Sequence, residues 1–148
     1  MAGIYARLEK RDAFDGIERV VVGAVIKDSG KILLLRRRTG EFMAGLWELP
    51  SGKVEKVEAL PDALYREVFE ETGLTVSEIA GYLGAFDYIS GSGKRTRQHT
   101  FVVRVEQVEP IKLAEHDQFQ WAESKSSLPV SDEVSSLLTM VCSSPKAT

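Results

Sequence analysis

Cysteine is nearly absent from this chain of 148 residues, because Cys142 is the only one. A single cysteine excludes an intrachain disulfide and therefore the class of small secreted domains held together by disulfides. No run approaches the roughly 18 consecutive apolar residues of a membrane-spanning helix, and the N-terminal segment lacks the apolar core of a signal peptide. These absences predict a soluble protein in a reducing cytoplasm.

An excess of positive charge is also missing, since the formal net charge is −3. The chain therefore has no electrostatic footprint for a nucleic-acid polymer or an anionic membrane. Its hydrophobic content of 43% and charged content of 28% are typical of an ordinary globular protein. We expect one domain over 19–142, a monomer or homodimer, preceded by an N-terminal arm or edge strand over 1–18 and followed by a disordered tail over 143–148.

Strand and helix patterns interleave along the chain without repeats. Buried-strand runs and alternating patterns predict strands over 19–26, 31–36, 53–55, 79–89, 100–108 and 118–122. A flexible basic loop is expected over 90–97. Helices are predicted from about 60–62 to Thr72, with Gly73 as a left-handed C-cap, and over 132–141 with Ser131 as N-cap. This order favours an α/β or α+β fold with a mixed sheet.

Three carboxylates stand on one face of the first predicted helix. Glu67, Glu70 and Glu71 have the spacing i, i+3 and i+4, which places their side chains in one stripe. Like charges at this spacing repel one another by a few tenths of a kcal/mol per pair. A hard divalent cation, which prefers oxygen ligands, would compensate for that repulsion. The stripe therefore indicates a metal site suited to phosphate chemistry.

The stripe belongs to a longer motif. Gly52 is followed after five residues by Glu58, and after seven more by the segment REVFEETGL at 66–74. Together, Gly52, Glu58 and this segment satisfy all nine fixed positions of the 23-residue Nudix box, GX5EX7REUXEEXGU, where U is aliphatic. The region from 19 to 138 also resembles the MutT-like nucleoside triphosphate pyrophosphohydrolases of that superfamily.

The resemblance implies a fold, a cofactor and a reaction. The fold would be an α/β/α sandwich in which the box forms a loop–helix–loop. The Gly52 carbonyl and the carboxylates of Glu67, Glu70 and Glu71 would bind Mg²⁺, with Mn²⁺ as a substitute. Arg66 would form ion pairs within the helix or with Glu58 and so orient the carboxylates. A water activated at this centre would attack a phosphorus atom.

The proton of that water needs a carboxylate. Glu67 is the first candidate, because its equivalent in MutT-like enzymes lies at the ion. Related enzymes take the base from a later loop, and Glu115 resembles that carboxylate. An ordinary loop glutamate remains the alternative for Glu115.

The resemblance also implies residues that bind the substrate, each with a structural alternative. Arg37 resembles a phosphate-binding arginine, with a protected strand edge as the alternative, and Lys53 is a second cation. Trp47 and Glu48 lie in the segment that lines the family's pocket. Asp132 matches a base-reading position, although an acid there also stabilises a helix N-terminus. Two further residues receive structural assignments: His99 in a strand and Cys142 in core packing. His116, beside Glu115, could contact the substrate, but a histidine in an exposed loop is the favoured interpretation.

Three functions remain open at this point. The first is hydrolysis of a nucleoside triphosphate, either a standard or an oxidised one, to a nucleoside monophosphate and pyrophosphate. The second is hydrolysis of a sugar nucleotide or dinucleoside polyphosphate; no proline follows the box until Pro110, which disfavours the ADP-ribose subgroup. The third is a non-catalytic nucleotide-binding domain, which the complete set of box acids disfavours.

Overall fold

The computed structural model describes residues 2–38, 45–124 and 126–142 of the chain. The proposed tail over 143–148 lies outside the described residues. Three helices and seven strands occur in the described part, and none of these helices is long and apolar enough to cross a membrane. In chain order they are α1 (Ala2–Phe14), β1 (Arg19–Asp28), β2 (Lys31–Arg37), β3 (Trp47–Glu48), β4 (Ser51–Lys53), α2 (Leu60–Thr72), β5 (Val76–Ile89), β6 (Arg95–Val105), β7 (His116–Ala122) and α3 (Asp132–Cys142).

The strands form one mixed sheet around β1. The order is β3-β2-β1-β6-β5, and β4 and β7 pair with β1 and β2. The pairing of β1 with β6 is parallel, whereas the other pairs are antiparallel. Ser29 and Gly30, with φ of 52° and 80°, form the two-residue turn between β1 and β2. The expected mixed sheet is confirmed.

Each face of the sheet carries its own core, because successive strand residues point to opposite sides. Val22, Ala24 and Ile26 of β1 pack with α2, while Val25 packs with α3. Tyr5 and Leu8 of α1 pack on the α2 side. Helices therefore cover both faces, and the predicted α/β/α layering is confirmed.

The central helix α2 follows its sequence pattern closely. Leu64 and Val68 are 1% and 0% exposed and attach the helix to the sheet. The helix ends at Gly73, whose φ of 76° is left-handed and whose N–H donates to the Phe69 carbonyl. The predicted start, apolar stripe and C-cap are all confirmed. Consequently the acidic stripe of α2 has a fixed direction relative to the sheet.

The N-terminal expectation was wrong, since residues 2–14 form a helix rather than an edge strand or loose arm. Asp12, only 5% exposed, attaches this helix to β6. It accepts hydrogen bonds from His99 Nε2 at 2.8 Å and Arg97 Nη1 at 3.2 Å. The Tyr82 hydroxyl bonds to His99 Nδ1 at 2.9 Å. His99 is thus the structural histidine that the sequence indicated.

Several boundaries differ from the sequence prediction. The short strand after the Gly52 turn covers Ser51–Lys53 rather than 53–55. The basic loop is shorter than expected, because β6 already begins at Arg95. The last helix agrees with its prediction, and Ser131 Oγ accepts a hydrogen bond from the Val134 N–H at 3.2 Å.

Candidate active site

The box joins β4 to α2 through contacts between Ser51, Gly52 and the acidic stripe. Gly52 pairs with Val22 of β1, which fixes the turn to the middle of the sheet. The Ser51 N–H donates to Glu71 Oε1 at 2.9 Å. A Cβ atom built on Gly52 would overlap the Glu67 carboxylate. The absence of a side chain at Gly52 therefore allows the Glu67 carboxylate to lie against the backbone.

Arg66 is the electrostatic centre of the motif. Its Nε and Nη2 donate to the two oxygens of Glu58, each at 2.8 Å. Its Nη1 donates to Glu67 Oε1 at 2.6 Å and to Glu70 Oε1 at 3.2 Å, and Nη2 reaches the Lys53 carbonyl at 3.0 Å. Arg66 therefore forms both kinds of ion pair expected from the sequence. It fixes α2, the preceding loop and β4 relative to one another.

The acids of the motif have different protonation properties. Burial raises the pKa of Glu71 from an ordinary 4.5 to about 8. Burial also raises the pKa of Glu67, although Arg66 opposes this effect. In contrast, hydrogen bonds from Arg66 lower the pKa of Glu58 to about 2. Glu70 is mostly exposed, with 55% of its side chain accessible.

The donor set suits a hard divalent cation. Glu67 and Glu71 are desolvated carboxylates. The nearby charge of Glu115 raises the pKa of Glu67 further, and the charge of Glu48 raises the pKa of Glu71 further. A divalent cation would relieve this accumulation of negative charge. Arg66 bonds to Glu67 and Glu70, and among the described residues no three acids, histidines or cysteines converge on one point. The chemistry of the residues fits the cation, with Gly52, Glu67, Glu70 and Glu71 as candidate ligands.

A cavity of about 560 Å³ opens beside the box. Its walls include Glu71 and Gly52 from the box and Glu115 from the segment before β7. Glu67, whose carboxylate lies against Gly52, is not among the lining residues. The lining residues are Arg19, Val21, Arg37, Glu48, Ser51, Gly52, Glu71, Tyr88, Gln98, Glu115 and His116.

Glu48 connects two basic residues on one wall of this cavity. It accepts a hydrogen bond from Arg37 Nε at 3.0 Å and bonds to His116 Nε2 at 2.7 Å. Burial alone would lower the pKa of His116, but Glu48 and Glu71 outweigh burial and raise it. The expectation of an exposed loop for His116 was wrong, because it begins β7 and is only 7% exposed.

A second, more apolar cavity of about 260 Å³ continues from the first one toward α3. The two cavities share Arg37, Glu48, Ser51, Tyr88 and Gln98. The remaining walls are supplied by Leu46, Leu49, Phe86, Ser131, Glu133, Val134 and Leu137.

Three predicted substrate residues lie outside both linings. Trp47 is 6% exposed and packs in the core on the α3 side. Lys53 is exposed at the end of β4, and Asp132 is exposed as the first residue of α3. Glu133, next to Asp132, lines the apolar cavity instead. Arg37, Glu48, Glu71 and Glu115 thus line the larger cavity together, whereas Trp47, Lys53 and Asp132 line neither cavity.

The sequence did not indicate Arg19, Gln98 or Tyr88 as lining residues, and for His116 an exposed loop was favoured over a substrate contact. Arg19 and Gln98 lie on strands that are adjacent only because β1 and β6 pair in parallel. No local pattern reports that pairing. His116 carried one signal, namely its position beside Glu115, the candidate base.

Comparisons with known proteins agree with this geometry. A protein-family model described as the NUDIX domain matches residues 17–133. The CTP pyrophosphohydrolase of Escherichia coli K12 is 50% identical over 60 residues, which are 39% of this chain and 44% of that protein. The ADP-ribose pyrophosphatase of Methanocaldococcus jannaschii is 39% identical over 67 residues, or 45% of this chain and 38% of that protein. The matches thus span less than half the length of these curated relatives.

Among solved structures, the solution structure of the E. coli ORF135 protein superimposes with a TM-score of 0.69. It is 29% identical in sequence, and the match covers 88% of this chain and 94% of that one. The family model covers most of the chain and includes the whole box, both strands of the parallel pair and every residue that lines the larger cavity. The chain belongs to the NUDIX domain family.

Proposed function

We propose that this protein hydrolyses a nucleoside triphosphate to a nucleoside monophosphate and pyrophosphate. The observation that carries this proposal is the desolvated acidic centre of Glu67 and Glu71 beside Gly52, at the wall of a polar cavity that continues into an apolar one. A cation at such a centre neutralises phosphate oxygens and makes water a better nucleophile. The reaction would take place in the cytoplasm, with residues 19–142 as the catalytic domain.

The motif's own residues have separate tasks in this scheme. Gly52, Glu67, Glu70 and Glu71 would hold Mg²⁺ or Mn²⁺. Arg66 keeps the acids oriented through its ion pairs, so a substrate meets a preorganised centre. Glu58, ionised through most of the pH range, keeps Arg66 in place.

A carboxylate must accept the proton of the attacking water. Glu67 is held at Gly52, and its raised pKa brings its basicity nearer to neutral pH. Glu115 lines the cavity directly and is exposed. Either residue can serve, and single replacements separate them: loss of the base reduces kcat by about 10² to 10⁴.

The two cavities suit different parts of the substrate. The apolar cavity, with Tyr88, Phe86 and Leu137 in its walls, suits a nucleoside whose base packs against aromatic and aliphatic side chains. Glu133 offers a carboxylate to an exocyclic amine. The polar cavity beside the box suits the phosphates. The name of the E. coli relative, CTP pyrophosphohydrolase, supports a triphosphate.

A substrate panel tests the proposal. The purified protein is incubated with Mg²⁺ and nucleoside triphosphates, oxidised purine triphosphates, ADP-ribose, sugar nucleotides or dinucleoside polyphosphates, and the products are separated by chromatography. We expect a nucleoside monophosphate and pyrophosphate from at least one triphosphate. The Glu70→Gln protein is the matched control and should lose turnover by orders of magnitude while remaining folded.

A second candidate is hydrolysis of a nucleoside diphosphate derivative, favoured by the name of the M. jannaschii relative. This reaction releases two monophosphates and no pyrophosphate. Turnover of ADP-ribose or a sugar nucleotide in preference to every triphosphate would establish it. Binding without any turnover would instead indicate a non-catalytic nucleotide-binding domain.

A further inference from the structure

Arg19 is a cavity-lining arginine whose side chain makes no hydrogen bond or ion pair with any described residue. It begins β1 and lies on the wall of the larger cavity. Its Nε is buried and has no hydrogen-bond partner. Buried guanidinium donors normally have an acceptor, because an unmet donor loses its hydration without compensation. The structure therefore leaves Arg19 available to an anionic ligand.

The position of Arg19 relates it to the box. Val21, two residues along the same face of β1, also lines the cavity and pairs with Lys53, the neighbour of Gly52. Arg19 lines the larger cavity together with Gly52 and Glu71 but does not line the apolar one. A nucleoside in the apolar cavity would therefore extend its phosphates toward Arg19.

The charged residues that line the larger cavity differ in whether they already bond to one another. Three carboxylates, Glu48, Glu71 and Glu115, outnumber its two arginines. Glu48 already bonds to Arg37 and His116. The Nε donor of Arg19, in contrast, has no hydrogen-bond partner among the residues that the structure describes. A planar guanidinium can donate two parallel hydrogen bonds to phosphate oxygens, so it suits the anion better than an ammonium group does.

We propose that Arg19 binds the terminal phosphates of the substrate, the part released as pyrophosphate. This assignment rests on the proposed function, and it deepens that proposal by naming a phosphate-binding residue beyond the box and the Arg37 segment. Arg19 would thereby favour a triphosphate over a monophosphate, because a monophosphate lacks the terminal phosphates that Arg19 binds.

The experiment compares Arg19→Gln and Arg19→Lys with wild type. Arg104→Gln is the matched control, since it removes an arginine whose side chain is 72% exposed. The ion pair of Arg104 with Glu78 is long, at 3.5 Å between Nε and Oε1. Calorimetry with Mg²⁺ measures binding of inorganic pyrophosphate and of CMP, and steady-state kinetics measure CTP hydrolysis. We expect Arg19→Gln to weaken pyrophosphate binding and raise the KM for CTP by about tenfold to a hundredfold, the range for a charged hydrogen-bonding contact. CMP binding should change less than about twofold.

Other results would overturn the assignment. Unchanged pyrophosphate affinity in Arg19→Gln, or equal losses for pyrophosphate and CMP, would exclude a role at the terminal phosphates. If Arg19→Gln does not fold, Arg19→Lys decides, because wild-type affinity in that protein contradicts a bidentate contact. CTP turnover with the same KM in both proteins would refute the Arg19 proposal alone. Arg19-dependent pyrophosphate binding without turnover of any nucleotide would refute the proposed function alone.

Discussion

Replacement of Gly52 by alanine tests how the box holds its acids. A Cβ at Gly52 would overlap the Glu67 carboxylate, so that carboxylate must move by about 1 to 2 Å to reach ordinary contact distance. The φ of Gly52 is not positive, and the alanine therefore fits the backbone. The obstacle is the end of a flexible side chain, which can move at little cost. The substitution should thus displace one acid without disrupting the fold.

Activity and stability should respond very differently. A displacement of about 1 Å at a reacting centre reduces the rate by about 100-fold, or about 2.7 kcal/mol of barrier. Alanine in a glycine position compatible with it gains about 0.4 to 1 kcal/mol. Weakening the Arg66–Glu67 ion pair costs a similar amount, about 0.2 to 1 kcal/mol. The free energy of unfolding should therefore change by less than about 1 kcal/mol, and Tm by no more than about 4 °C.

The assay measures kcat/KM for the best triphosphate and Tm for the same preparations. Gly81→Ala is the control, because a Cβ at Gly81, also in a strand, meets nothing within 4 Å. It should keep activity. Wild-type kcat/KM in Gly52→Ala would refute the reasoning, since Glu67 would then function from a different position. A large loss of Tm would also refute it, because the overlap would then involve rigid structure.

Three further perturbations test other parts of the molecule. In the folded protein the pKa of Glu58 is about 2, compared with its ordinary value of 4.5. Its ion pair with Arg66 therefore stabilises the fold above about pH 5, and this stabilisation is lost as the pH falls toward 2. The full difference corresponds to at most about 3 kcal/mol, which solvent screening at this partly exposed pair reduces to about 1 to 2 kcal/mol. Urea unfolding should show Glu58→Gln less stable by this amount at pH 6, with the gap reduced by about half at pH 3; a gap independent of pH would contradict the assignment. Asp12→Ala leaves His99 Nε2 without its buried acceptor, whereas Arg97 keeps its bonds to Asp15 and Asp87, so the loss should be about 1 to 3 kcal/mol, measured by chemical unfolding. A loss below about 0.5 kcal/mol would mean that Asp12 contributes little to attaching α1. Glu115→Gln should lower kcat by about 100-fold or more if Glu115 is the base, and a kcat within a few-fold of wild type would exclude Glu115 and leave that task to Glu67.

Helix α2 shows what local sequence can predict. Its burial depends on a stripe of 3.6-residue period, its end depends on Gly73, and its ion pairs join residues four apart or in the adjoining loop. All of these are relations between neighbours in the chain. The sequence therefore predicted the helix bounds, the acidic face and the partners of Arg66.

Helix α1 shows the opposite case. Its inward face contains Tyr5, Leu8 and the buried Asp12, so the stripe is short and interrupted by a charge. The acid becomes favourable only when His99 and Arg97 of β6 supply donors from more than 80 residues away. A local pattern cannot show such partners. The helix consequently looked like an arm or an edge strand.

By itself, the sequence determined the family, the acidic centre and its orienting arginine, because a contiguous motif carries all three. Only the tertiary structure decided which side chains form the rest of the cleft. It buried His116 against Glu48, placed Glu133 rather than Asp132 at the apolar cavity, and left Arg19 Nε at the wall of the larger cavity without a hydrogen-bond partner among the described residues. The physical reason is that these relations depend on strand pairing and packing between distant segments, whereas the motif needs only a turn and a helix.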